Sequence, residues 1–288
     1  MLTTYAIHRS VEQALAEDCP AGDITVESTI PADAMGSARL VARESGVLSG
    51  IEVFATAFVL QDNRITISAT HHDGYRFSQG DCLATVAGPV RGILTAERVA
   101  LNFTQHMCGI ASMTRRFVDA AHEACTARGI KEPWIVDTRK TLPGLRQFEK
   151  YAVLCGGGHN HRFGLSDAVM VKDNHLAAMK EAGLDMPAAL KAIRSKISHT
   201  ATIEVEVDSL EQIPLALQGG ADTIMLDNFS LKDTRRGVEC IAGRAKVEAS
   251  GNMTLDHVAD VACTGVDIIS VGALTHSVKA IDLGLDWD

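Results

Sequence analysis

The chain lacks any paired cysteine motif. Its seven cysteines, at 19, 82, 108, 125, 155, 240 and 263, are odd in number and none sits in a Cys-x-x-Cys pair. That excludes a disulfide framework and a zinc ribbon, and reads as reduced thiols in a cytoplasmic protein. It also lacks a long apolar run. Ile51 to Leu60 is the longest, carries Glu52 and Thr56, and is too short to span a bilayer. Met1 to Asp18 has no basic-then-apolar targeting pattern. There is no low-complexity tract and no Gly/Ser- or Pro-rich linker. Positive charge is scarce overall: the formal net charge is -9, which argues against nucleic acid as the main partner. Small anionic substrates remain compatible, because a local basic pocket can invert the field where they bind.

What is present is an ordinary globular balance, with 46% hydrophobic and 22% charged residues over 288 positions. That is enough chain for two domains. The first part, residues 1–108, mixes short strands and helices. Arg39 to Ala42, Arg64 to Ala69 and Cys82 to Val86 read as strands, and Asp73-Gly74 as a turn. A helix is expected from Leu94, capped by Thr95 and broken by Gly109 at the domain boundary, with a second from Ser112 to about Ala124. Residues 109–275 form the second domain, and the tail 276–288 is expected to pack back on the first.

The second domain has a rhythm. Short apolar runs recur, each followed by a polar, charged or small residue: Trp134 to Val136, Ala168 to Val171, Ile203 to Val205, Thr223 to Leu226, Lys246-Val247 and Ile268-Ile269. Amphipathic helices lie between them. Strands alternating with helices mean parallel β/α units. About 165 residues are too few for the usual eight-fold barrel of about 250, so a barrel with fewer than eight strands is expected.

In such barrels the working groups sit at the C-terminal ends of the strands. Those ends here carry Arg139, Lys140, Lys172, Glu206, Asp227, Ser250 and Gly272. Arg139-Lys140 offers a bidentate fork and a point charge for anions, although an Arg-Lys pair alone is more often a solvated loop. Gly156-Gly157-Gly158 allows close backbone approach, and His161 and Arg162 follow with further donors. His159, His161 and His175 raise the question of zinc. No cysteine or third ligand at helical spacing accompanies them, so zinc is not expected. Glu204 and Glu206 share one strand face. Glu206 and Asp227, at neighbouring strand ends, suit Mg²⁺; a salt bridge from Lys172 or Lys140 is the plainer reading, and both can hold. The turns at Ser250-Gly251 and at Gly272 to His276 have the small residues of a phosphate cradle.

These segments together resemble quinolinate phosphoribosyltransferase, almost end to end. The resemblance takes in Gly22-Asp23-Ile24-Thr25, Glu97 to Asn102, Asp137 to Gly144, Glu149 to Val153 and Asn160-His161-Arg162. It continues through Lys172 to His175, Glu204 to Val207, Met225 to Asn228, Glu248 to Gly251 and Leu274 to Ser277. It implies an α/β fold, with a sandwich-like N-terminal domain and an open, seven-stranded β/α barrel. It implies transfer of the phosphoribosyl group of phosphoribosyl pyrophosphate to quinolinate with loss of carbon dioxide, in NAD biosynthesis. The family's quinolinate contacts fall on Arg98, Arg139, His161, Arg162 and Lys172. Its phosphoribosyl pyrophosphate contacts fall on Lys140, Glu206, Asp227, Ser250, Gly251, Gly272 and His276, with Mg²⁺ at Glu206 and Asp227. A homodimer, or dimers assembled into a hexamer, is implied, with Arg98 reaching the partner's site. The intact Thr-Arg-Lys-Thr and Asn-His-Arg motifs set the chain apart from relatives in molybdenum-uptake loci. A barrel aldolase using Lys172 as a Schiff-base nucleophile fits the paired acids less well. A carrier module around Gly80 to Gly92 lacks a lysine at its turn. Asn252 departs from the family's usual second glycine, and Asn tolerates the positive φ that such a turn needs.

Overall fold

The structure is a computed structural model and describes residues 2–287. In chain order its elements are α1 (Thr4–Asp18), α2 (Ile24–Thr29), β1 (Met35–Ala42), β2 (Gly46–Val47), α3 (Ile51–Gln61), β3 (Thr66–Ala69), β4 (Arg76–Phe77), β5 (Cys82–Pro89) and α4 (Val90–Thr126). Then come β6 (Trp134–Val136), α5 (Arg146–Cys155), β7 (Val169–Val171), α6 (Asp173–Glu181), α7 (Met186–Arg194), β8 (Ile203–Val207), α8 (Gln212–Gly219) and β9 (Thr223–Asp227). The last are α9 (Leu231–Ile241), β10 (Lys246–Ser250), α10 (Leu255–Ala262), β11 (Ile268–Ser270), α11 (Ala273–His276) and β12 (Leu283–Trp287).

Two compact units emerge. The first comprises residues 1–115, 142–157 and 277–288, and the second residues 116–141 and 158–276. The first holds an antiparallel sheet of order β12-β1-β5-β3. Leu40 of β1 faces Leu285 of β12 and Ala84 of β5. Alternate side chains of β1 and β5 turn inward, so Ala38, Leu40, Ala84 and Val86 are fully buried. On α3, Phe54 and Phe58 are fully buried and meet edge to face at 4.9 Å.

Residues 142–157, which a division at 108/109 groups with the later strands, belong to the first unit by contact. The polar partners of α5 explain this. Tyr151 donates its hydroxyl to Asp73 at 2.8 Å, and Asp73 accepts the N–H groups of Gly50 and Ile51 at the start of α3. The fully buried Glu149 meets His106 at 2.9 Å.

The helix expectation needs correction at two points. The helix runs unbroken through Gly109 and begins at Val90. Pro89 ends β5 directly before it, and Thr95, inside the helix, donates its hydroxyl back to the Arg91 carbonyl. Gly109 is there for proximity: a Cβ at this position would lie 2.4 Å from the Lys279 carbonyl oxygen. A helix-interior glycine costs about 1 kcal/mol, which is too little to break a long amphipathic helix.

The second unit is a parallel sheet of order β6-β11-β10-β9-β8-β7 with helices between the strands. Ile203, Val205, Ile224 and Ile269 are buried without residue. The expected seventh strand contracts to a single parallel bridge between His159 and Val136, beside β6. The sheet is open: among the described residues no strand pair links β7 to the His159 segment.

Candidate active site

Every strand of the second unit points its C-terminal end the same way, because all six are parallel. A cavity of about 420 Å³ opens there. Arg139, Lys140, His161, Arg162, Lys172, Glu206, Asp227, Ser250 and Gly251 all line it. They come from six separate stretches of sequence, five of which lie at or just after the end of a strand, while His161-Arg162 follows the bridge at His159.

The loop after β6 supplies Thr138, Arg139 and Lys140, and the Lys140 N–H is fixed by Thr138 Oγ1 at 3.0 Å. Thr275 donates its hydroxyl to the Lys140 carbonyl at 2.7 Å. Gly272 and His276 stand behind Lys140 without lining the cavity. A Cβ on Gly272 would be 3.0 Å from His276 Nε2 and 3.2 Å from Lys140 Cδ. Arg162 is anchored by the Ala168 carbonyl at 3.1 Å. Burial and the nearby Arg139 guanidinium pull its pKa below the usual arginine value. Across the sheet, at the C-terminal ends of β7 and β8, Lys172 forms an ion pair with Glu206. Asp227, one strand on, accepts from the Asn228 side chain at 2.8 Å. Arg98 lies in the first unit, exposed on α4, and does not line this cavity.

The three histidines have separate tasks. His159 stacks on Trp134 with ring centroids 4.7 Å apart, and His175 Nδ1 accepts the Lys172 N–H at the start of α6. His161 faces two buried acids, with Nε2 3.2 Å from Glu204 Oε2 and 3.6 Å from Glu248 Oε2.

Residues 23–108 match the family model described as quinolinate phosphoribosyl transferase, N-terminal domain, and residues 110–286 match its C-terminal domain. The chain belongs to the quinolinate phosphoribosyl transferase family. It is 43% identical to a nicotinate-nucleotide pyrophosphorylase [carboxylating] of Mycobacterium leprae, over 98% of this chain and 97% of that one. It is 39% identical to a mitochondrial quinolinate phosphoribosyltransferase [decarboxylating] of Nicotiana glauca, over 99% and 83%. Among solved structures, NadC from Streptococcus pyogenes superposes with a TM-score of 0.92 at 40% identity, over 100% of this chain and 99% of that one. The nicotinate-nucleotide pyrophosphorylase of Francisella tularensis gives 0.91 at 36%, over 100% and 98%.

Around this cavity, three features were given no role by the sequence. Asp137 is wholly buried and accepts from Asn160 Nδ2 at 2.7 Å and from the His161 N–H at 2.9 Å. Met170 and Met225 give the cavity apolar wall. Glu248 lies in its floor. An acid placed directly after an apolar strand run was the available signal for Asp137.

The turn after β10 is tightly specified. Gly251 has φ +101°, and a Cβ there would sit 2.2 Å from Asn228 Oδ1. Asn252 takes φ +44°, as its tolerance of that region allows, and donates to the same oxygen at 3.2 Å. Gly251→Ala is therefore expected to lower stability by more than about 1 kcal/mol through φ strain alone. It should also raise KM for the phosphoribosyl donor more than for the acceptor ring. Thermal melts and the two KM values check this, and equal KM changes would deny the turn a phosphate role.

Proposed function

We propose that this protein transfers the phosphoribosyl group of phosphoribosyl pyrophosphate to quinolinate with decarboxylation, yielding nicotinate mononucleotide, pyrophosphate and carbon dioxide. One observation carries the reading. Four cationic side chains, Arg139, Lys140, Arg162 and Lys172, and two acids, Glu206 and Asp227, line one cavity at the strand ends. A dicarboxylated ring and a polyphosphorylated sugar are the substrates that such a division of charge suits.

Arg139, Arg162, Lys172 and His161 would hold the two carboxylates, with the guanidinium forks setting the plane of the ring. Holding the ring nitrogen at the anomeric carbon converts a bimolecular encounter into an intramolecular one. Lys140 and the Ser250-Gly251 turn would bind the sugar phosphates. Once the nitrogen carries the sugar, the ring is cationic and becomes the electron sink for loss of the adjacent carboxylate. No further organic cofactor is needed, because the substrate ring plays that part.

The donor chemistry fits Mg²⁺. Glu206 and Asp227 are hard oxygen donors on adjacent paired strands, and Lys172 already supplies a positive charge to Glu206. Bound there, Mg²⁺ would neutralise charge on the departing pyrophosphate. We further propose a cytoplasmic homodimer, or dimers assembled into a hexamer, in which Arg98 completes the partner's site. No helix among the described residues is long and apolar enough to cross a membrane.

Mixing the protein with quinolinate, phosphoribosyl pyrophosphate and Mg²⁺ should yield carbon dioxide and nicotinate mononucleotide, while nicotinate in place of quinolinate should yield nothing. Product from nicotinate alone would refute the assignment. Chelation should lower the rate at least about 100-fold, the scale of one lost electrostatic contact to developing charge, and Mg²⁺ should restore it. Undiminished turnover in chelator would remove the metal from this scheme.

A further inference from the structure

The floor of the cavity is acidic where the substrates are anionic. Glu248, on β10, lines the cavity although only 1% of the residue is exposed. Glu204, on β8, is 7% exposed. Arg162 donates its N–H to His161 Nδ1 at 2.7 Å, so the ring proton sits on Nε2, the atom that faces both carboxyl groups. The remaining oxygens, Oε1 of Glu204 and Oε1 of Glu248, are buried and accept no hydrogen bond among the described residues.

Glu248 is buried beside a second buried carboxyl group, and its Oε1 accepts no hydrogen bond among the described residues; both features favour its protonated form. Burial first, and then repulsion from the Glu204 carboxylate, push Glu248 well above the ordinary carboxylate range. The nearby Ser270 hydroxyl works the other way and is outweighed. A carboxyl group that favours its protonated form is thus held in the same cavity as the cations Arg139, Arg162 and Lys172.

We propose that Glu248 is the acid that protonates ring carbon C2 after carbon dioxide leaves, with Glu204 and His161 positioning it. This rests on the reaction proposed above. The bond from C2 to its carboxylate breaks, carbon dioxide departs, and the electron pair stays on C2 beside the cationic ring nitrogen. The Glu248 O–H bond then breaks, its proton forms the new C2–H bond, and Glu248 is left as a carboxylate. Water returns a proton to it after product release.

Glu248→Gln keeps the volume and removes the transferable proton. In a single turnover with quinolinate and the sugar donor, pyrophosphate release should stay within about threefold of the unmodified protein. Nicotinate mononucleotide formation should fall at least about 100-fold, the scale of a lost general acid, and quinolinate mononucleotide should accumulate. Glu248→Asp retains an acid. It should form product at least about tenfold faster than Glu248→Gln, with the same retained pyrophosphate release. If Glu248→Gln does not fold, Glu248→Asp alone decides: slowed product with undiminished pyrophosphate release supports the role. Pyrophosphate and product falling together in either variant, or product unaffected in both, would overturn it. So would a divalent ion bound to the unmodified protein that Asp227→Ala retains and Glu248→Gln loses, since His161, Glu204 and Glu248 would then be its ligands. If the unmodified protein releases no pyrophosphate with quinolinate, the parent reaction itself is wrong; a defect confined to the variants leaves that reaction standing.

Discussion

Arg139→Ala is expected to lower kcat/KM for quinolinate about 100-fold or more while leaving KM for phosphoribosyl pyrophosphate within a few-fold. Arg139 stands on the loop after β6, in the same cavity as Arg162 and Lys172. Its charge lies close enough to help pull down the Arg162 pKa. An anion bound between the two would relieve that repulsion. Removing one partner of a desolvated charge pair costs roughly 2–5 kcal/mol, or about 30- to several thousand-fold. Arg139→Lys should recover little, because a lysine ammonium cannot form the planar two-point contact of a guanidinium. Asp227→Ala should give the reverse pattern, with the sugar donor and the Mg²⁺ requirement affected most. Initial-rate kinetics with each substrate varied separately distinguish the two. Matching losses for both substrates in both variants would mean that the cavity is not divided as described.

How much of this site can be read in the sequence depends on the kind of contact. Strand ends are legible: a short, mainly apolar run closed by a polar, charged or small residue marks both a buried parallel strand and the place where it opens to solvent. Arg139, Lys172, Glu206, Asp227 and Ser250 converge for that reason. The period of two that places Glu204 on the same face as Glu206 is legible as well, but its partner is not. Nothing local in Glu248 tells that it meets Glu204 and His161, residues on other segments joined only through side chains. Gly109 misleads for a related cause. A glycine that stops a helix and a glycine that admits a neighbouring backbone look alike until the neighbour, here Lys279, is in place. The seventh strand fails by degree: one bridge at His159 supplies the alignment that a full strand was expected to give.

Asp137→Asn is expected to lower both stability and turnover, although Asp137 does not line the cavity. Asp137 touches no open space. Its Oδ2 accepts from Asn160 and its Oδ1 from the His161 N–H, while its own N–H donates to the His159 carbonyl at 3.2 Å. The segment carrying His161 and Arg162 is thereby tied to the end of β6, where regular sheet pairing has shrunk to one bridge. An asparagine has one acceptor oxygen and one amide NH₂ at the same positions, so one of the two donors must face another donor. Leaving a buried donor unsatisfied costs about 1–3 kcal/mol, which in a protein of this size is a melting-point loss of roughly 2–12 °C. Asp137→Ala strands both donors and should lose about twice as much. The kinetic loss should be larger than stability alone explains: about 100-fold in kcat at a temperature where the variant is fully folded, because a misplacement near 1 Å at His161 and Arg162 is enough for that. A variant that melts lower but keeps its kcat would show that Asp137 only supports the fold. One that keeps its melting point and loses turnover would show that the strain falls wholly on the two side chains it aims.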